Sequence, residues 1–216
     1  MQRFRRRTWL AASAFALALA GGWAQPAFAD EVDQVLGRIA KARKGLKTLR
    51  VPFEQTRVIG LLASEVKSEG RLTIVSPDRL RWDLFPPDEV TYWIGPEGLA
   101  MRNEDGVTKV GKAAAGRFAS VLSDLLVMIG GDPRKLRRRY DITVAKDGDV
   151  ATLTAKPTGK DVKKHIDRLT MAVRLGEDAV VERLAIHEKG GDRSLIRFGT
   201  HQKNVKVDPD EMRPPS

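Results

Sequence analysis

The residues best suited to chemistry in this 216-residue chain are three histidines, His165, His187 and His201, and they are single and dispersed. Zinc chemistry needs convergent ligands, and no second histidine or cysteine stands at ligand spacing from any of them. There is no cysteine at all, no Gly-x-Ser-x-Gly elbow and no His-Glu-x-x-His run, so thiol, serine-elbow and metalloprotease chemistry have no carriers. Acid pairs such as Asp147 with Asp149 and Glu177 with Asp178 fall in glycine-containing turns, where aspartate is favoured for backbone reasons. The run Gly106-Val107-Thr108-Lys109-Val110-Gly111-Lys112-Ala113 nearly spells a phosphate loop. It ends on Ala113, which has no hydroxyl for Mg²⁺, and reads instead as a turn into a helix. No catalytic residue, cofactor or metal site is expected.

The chain opens with a segment that reads as an export signal. Arg3, Arg5, Arg6 and Arg7 precede an apolar run from Trp9 to Ala20, and Ala27-Phe28-Ala29 gives the small-x-small pattern before Asp30. A bilayer crossing needs about 20 apolar residues, more than this run supplies. The expected organisation is a leader over 1–29, cleaved after Ala29, and one domain over 30–216 in the periplasm. Arg6-Arg7 leaves both the general and the twin-arginine route open. Without cysteine, neither a lipid anchor nor a disulfide framework is available.

The formal charge is +10; setting aside the four leader arginines leaves 34 basic against 28 acidic residues, or +6. In an exported chain that excess points to lipid headgroups or an acidic protein and away from nucleic acid. The densest basic stretch carries Arg134, Arg137, Arg138 and Arg139 and is read as a solvated loop or a docking patch.

Val32, Val35, Leu36, Ile39 and Leu46 recur at helical spacing, predicting an amphipathic helix over Val32 to Lys47 that ends near Gly45. Short β-rich runs follow: Leu49 to Val58, Glu69 to Val75, Arg79 to Phe85 and Thr91 to Ile94. Then Phe118, Val121, Leu122, Leu125, Leu126 and Ile129 form a second helical stripe, framed by Gly111, Gly116, Gly130 and Gly131. Strands resume at Tyr140 to Ala145, Val150 to Ala155, Arg168 to Leu175, Val180 to His187 and Ser194 to Asn204. Roughly nine or ten hairpin-linked strands and two helices predict a mainly β, α+β fold: a curved antiparallel sheet forming an incomplete barrel capped by amphipathic helices. Phe53, Leu72, Ile74, Leu80, Trp82, Leu84 and Trp93 are assigned to its apolar inner wall. The stripe from Phe118 to Ile129 is assigned to a lid hinged at the glycines.

These residues resemble a family. Phe53-Glu54-Gln55-Thr56, Gly70-Arg71-Leu72, Pro77-Asp78-Arg79-Leu80-Arg81-Trp82 and Pro86-Pro87-Asp88 occur in the order and spacing of the periplasmic LolA-type lipoprotein carriers. Leu153-Thr154-Ala155-Lys156-Pro157, the strand Leu169 to Leu175 and Val207-Asp208-Pro209 continue the likeness over most of the chain. The resemblance implies an unclosed barrel of about eleven strands under a helical cap. It implies an apolar hollow that holds lipoprotein acyl chains, a monomer, an inner-membrane ABC-type release complex as donor and an outer-membrane receptor or membrane as acceptor. Two departures stand out: Ser76 occupies the place where many of these carriers have an arginine implicated in lid closure, and the chain stops at Ser216, soon after Pro214-Pro215. A lid without that lock, an altered handover, or a different lipid cargo are the corresponding expectations. The rival reading is a module that binds lipid or envelope protein without shuttling it, which would be expected to signal through a second domain.

Overall fold

The computed structural model describes residues 26–60 and 64–215, so the leader before Pro26 lies outside the described residues. Helix α1, Pro26–Ala42, buries Val35, Leu36 and Ile39 completely and Val32 nearly so. It ends before the expected Lys47 because Gly45 takes a left-handed conformation, φ +88, which glycine adopts at little cost.

Twelve strands follow. The first six are β1 Thr48–Ile59, β2 Ser64–Val75, β3 Arg79–Leu84, β4 Thr91–Gly95, β5 Gly98–Asn103 and β6 Gly106–Gly111. Helix α2, Lys112–Gly130, and a 3-10 turn over Pro133–Arg138 come next. Then come β7 Tyr140–Asp147, β8 Val150–Pro157, the short helix α3 Lys160–Lys163, β9 Ile166–Arg174, β10 Val180–Glu188, β11 Arg193–Phe198 and the two-residue β12 Gln202–Lys203. The order across the sheet is β6-β5-β4-β3-β2-β1-β11-β10-β9-β8-β7, antiparallel throughout, with β12 on the side of β1. Consecutive strands β6 and β7 therefore occupy opposite edges, no pairing joins them among the described residues, and the barrel stays open. The chain between those edges is α2 with its 3-10 turn, which places the helix over the open sheet.

Strand count and bounds differ from the sequence reading in several places, among them β5, Gly98–Asn103, where no strand was expected. Gly106–Gly111 is a strand rather than a turn, pairing with β5; it is an edge strand exposed along nearly its whole length, so no alternation marks it. Strand β2 starts at Ser64 rather than Glu69, because its first residues extend a long hairpin with β1 and are mostly solvent-exposed, without a buried apolar face. Strand β11 stops at Phe198, where the Gly199 N–H turns to the Pro52 carbonyl.

Alternation puts Val51 and Phe53, Leu72 and Ile74, Leu80 and Trp82 on one face, where they meet Leu153, Leu169, Met171 and the stripe of α1 in one core. The Phe53 ring lies 4.4 Å from that of Trp82. Gly70 makes this contact possible: a Cβ there would overlap the Phe53 ring and the Asp83 carbonyl oxygen. Gly70→Ala is expected to destabilise the chain by about 3 kcal/mol, the upper end of overpacking costs, read as a lower urea midpoint at constant slope.

Candidate cargo cavity

The site is built from the apolar stripe of α2 and the sheet face beneath it. A cavity of about 390 Å³ lies between them. Trp82 and Leu84 of β3 line it with Tyr92 of β4; Val121, Leu122 and Leu125 of α2 close it from above. Ile186 and Ile196 come from β10 and β11. Polar residues gather at one end: Arg57, Ser194 and Glu188 stand beside the β1–β2 and β10–β11 hairpins, with His165 just before β9. Arg57 sits opposite Ser194 in register, its guanidinium 3.5 Å from Asp192 and 3.9 Å from Glu188. The cavity is thus an apolar slot with a polar rim, a shape suited to an amphipathic ligand.

Of the wall residues assigned from sequence, Trp82 and Leu84 line the cavity, and so do Leu122 and Leu125 of the lid stripe. Phe53, Leu72, Ile74 and Leu80 share that sheet face but are packed into the core, as are Leu126 and Ile129 of α2. The Phe118 side chain lies outside the described residues. Trp93 is corrected: it pairs in register with Arg81, while Tyr92 pairs with Trp82 and Ile94 with Leu80, so Trp93 faces away from the cavity. There its Nε1–H donates to the Glu211 carbonyl at 3.0 Å, and the Arg81 and Arg102 guanidinium groups lie 5.5 and 5.7 Å from its ring. It helps to pin the C-terminal 3-10 turn Pro209–Met212.

Helix α2 is tied down at two places that sequence reasoning missed. Arg43, just past α1, is buried and donates through Nη1 to the carbonyls of Met128 and Gly131 at the C-terminal end of α2. These are carbonyls that a helix end leaves without partners, and a cation is favoured there. Burial lowers the Arg43 pKa to about 9. Farther along, Asp124 of α2, 2 % exposed, accepts from Tyr140 Oη and from Arg139 Nη1, each at 2.6 Å. Arg139 also donates to Ser120 Oγ. Ser76, by contrast, makes its backbone bond to the Lys47 carbonyl.

Of the four glycines framing α2, Gly130 and Gly131 act differently from the expected hinges, whereas a Cβ on Gly111 would meet nothing within 4 Å. A Cβ on Gly130 would lie 3.0 Å from Ile74 Cδ1, and one on Gly131 would lie 3.1 Å from the Val127 backbone. Gly130 and Gly131 allow close packing of the α2 C-terminus on Ile74 and on its own last turn. The basic stretch is also largely committed: Arg134 pairs with Asp132 at 2.7 Å, Arg137 with Asp33, and Arg139 with Asp124. Arg138 is exposed with no ion pair among the described residues.

Burial pushes the Asp124 carboxyl above its ordinary range, with the Tyr140 and Arg139 bonds pulling it back only in part. A folded-state pKa above the unfolded one contributes stability that is present below the unfolded value and lost as pH rises through the folded value. Asp124→Asn is therefore expected to gain stability relative to the parent chain as pH rises from below 3.8, the ordinary value, toward neutrality. Paired urea melts across that range test it; a variant that falls progressively behind would mean that the Arg139 ion pair outweighs burial.

The profile of the family described as "Outer membrane lipoprotein carrier protein LolA" matches residues 44–213. The outer-membrane lipoprotein carrier protein of Pseudomonas fluorescens is 25 % identical over 181 residues, 84 % of this chain and 83 % of the relative. That of Azotobacter vinelandii is 24 % identical over 206 residues, 95 % and 91 %. A LolA superfamily protein from Nitrosomonas europaea aligns with TM-score 0.47 and 9 % identity, over 83 % of this chain and 96 % of that one. The Pseudomonas aeruginosa MucA/MucB complex gives 0.48 and 12 %, over 86 % and 61 %.

Proposed function

Because the chain belongs to the LolA family of outer membrane lipoprotein carrier proteins, we propose that it takes up lipoprotein acyl chains beneath α2 and carries them across the periplasm from inner to outer membrane. The observation that carries this reading is the apolar slot between α2 and the sheet, with its polar rim at one end. Moving one 16-carbon chain from membrane into water costs about 13 kcal/mol at roughly 0.8 kcal/mol per methylene, so an unaided crossing is very slow. A carrier removes that barrier by offering comparable apolar surface, with no bond made or broken.

The cavity of about 390 Å³ is at the low end of ligand pockets, which run from about 300 to 1,000 Å³. A multiply acylated cargo then requires α2 to move outward. In this reading α2 moves outward when the Arg43 bonds to its C-terminal carbonyls and the Asp124 contacts to Tyr140 and Arg139 release. The work of loading falls to an inner-membrane ABC-type complex, and an outer-membrane receptor or the acceptor membrane takes the cargo.

The test is native mass spectrometry with lipid extraction on the protein purified from the periplasm of a lipoprotein-producing host. Co-purified triacylated lipoprotein is the expected result. A different bound lipid would keep the cavity and change the cargo. A chain that stays empty after incubation with membranes would overturn the carrier reading.

A further inference from the structure

A second concavity, about 830 Å³ in volume, lies on the face of the sheet turned away from α2. The register builds it. Antiparallel partners share a face, so Glu69, Glu54, Arg197 and Arg183 form one row across β2, β1, β11 and β10. Lys67, Thr56, Leu195, Ala185 and Thr170 form the next row, two residues along each strand. Both rows line the groove. The small residues toward β9 and β8 keep its floor low, and Phe85 with Pro86 walls it at the β2 end.

Two features set this surface apart. Leu195 and Phe85, 40 % and 38 % exposed, are two of the four large apolar side chains left open on the described surface. In addition, none of the side chains of Glu54, Lys67, Glu69, Arg183 and Arg197 makes an ion pair or hydrogen bond with a described residue, whereas Arg174 on the neighbouring strand β9 holds both Asp149 and Glu182. Glu54 stands opposite Glu69, and Arg183 opposite Arg197. Like charges placed directly across strands destabilise a sheet, and the central Glu54–Arg197 register pair offsets this only between the two like pairs.

We propose that the outer groove docks an extended polypeptide segment of a partner protein, one that carries a basic and an acidic side chain three residues apart beside a small apolar one. The spacing follows from the sheet. With strands about 4.8 Å apart, the centre of the glutamate pair and the centre of the arginine pair are separated by two spacings, roughly 10 Å. An extended chain in polyproline II conformation rises about 3.1 Å per residue with three residues per turn, so side chains three residues apart share one face and span about 9 Å, in either direction. A membrane is the weaker match, since the floor is recessed and the two glutamates repel anionic headgroups. The groove is on the opposite face from the acyl cavity, so this inference does not depend on the cargo.

The experiment titrates the ¹⁵N-labelled full chain, expressed with its leader, with a capped heptapeptide containing Lys-Ala-Leu-Asp. The comparison peptide has serine for both charged residues. Saturable amide shifts confined to β1, β2, β10 and β11 are expected, weakened roughly tenfold or more by Glu54→Gln with Glu69→Gln and again by Arg183→Gln with Arg197→Gln. Both double variants neutralise exposed side chains and remove one like-charge pair each, so they should keep their thermal midpoints and their acyl-chain binding. No shifts at millimolar peptide, equal binding of the serine peptide, or shifts centred on the cavity under α2 would each overturn the proposal. So would binding only to anionic phospholipid vesicles.

Discussion

Leu84→Asp is expected to weaken binding of a saturated fatty-acid probe by roughly 10- to 100-fold while leaving the unfolding midpoint close to that of the parent chain. Leu84 is half-buried on β3, packed at the margin of the core and facing the cavity. In the empty protein an aspartate there can keep water. In the loaded protein it loses the apolar contact of a leucine, worth about 1.5–3 kcal/mol, and must also be desolvated against hydrocarbon. At about 1.4 kcal/mol per decade, the first of these alone gives the expected range. Trp82 is the instructive contrast. It lines the same cavity but is only 6 % exposed and stacks near Phe53, so Trp82→Ala should cost about 3–5 kcal/mol of stability and confound any binding assay. Probe displacement and urea melts on the same samples separate the two. If Leu84→Asp loses stability and binding in step, this stretch of β3 is ordinary core and not a cargo wall.

The contrast between these two residues shows what was legible in the sequence. Strict alternation over Leu80–Leu84 places Trp82 and Leu84 on one face, and the spacing of Leu122 and Leu125 places them on one side of α2. The chain order of β6, α2 and β7 then brings the two surfaces together. Alternation carries no phase from one strand to the next, however. The connection between Leu84 and Thr91 sets that phase, and it pairs Trp82 with Tyr92, so the larger ring of Trp93 faces outward. Strand β6 was missed because it closes an edge in solvent, where pattern is weakest. Strand β5, paired on both sides and buried or half-buried except at Arg102, was missed because only Leu99, Ala100 and Met101 of its six residues are apolar and they follow one another without alternation. The outer groove was invisible for a different reason: Glu54, Arg197 and Arg183 become neighbours only when β1, β11 and β10 are laid side by side.

The lid contacts belong to the same class, since Arg43 and Met128 are 85 residues apart and nothing local distinguishes Arg43 from the other basic residues around α1. Arg43→Met is expected to destabilise the chain by about 2 kcal/mol and to speed hydrogen exchange in the last turn of α2. Methionine keeps the apolar stem and loses the donors, leaving buried carbonyls at Met128 and Gly131 without their cation; each such acceptor costs about 1–3 kcal/mol. Part of that is offset, because the parent chain buries a guanidinium whose Nη2 has no partner and whose pKa is lowered to about 9. Arg43→Lys should fall between, since one ammonium cannot occupy both carbonyls with the geometry of a guanidinium. The lid consequence follows from position. If Arg43 fixes one end of α2, then weakening it by about 1.4 kcal/mol raises the open fraction about tenfold, and bound fatty acid should leave correspondingly faster. An unchanged exchange rate at Ile129 to Gly131 together with an unchanged off-rate would show that close packing of Gly130 on Ile74 holds the helix by itself, and that Arg43 only satisfies its end.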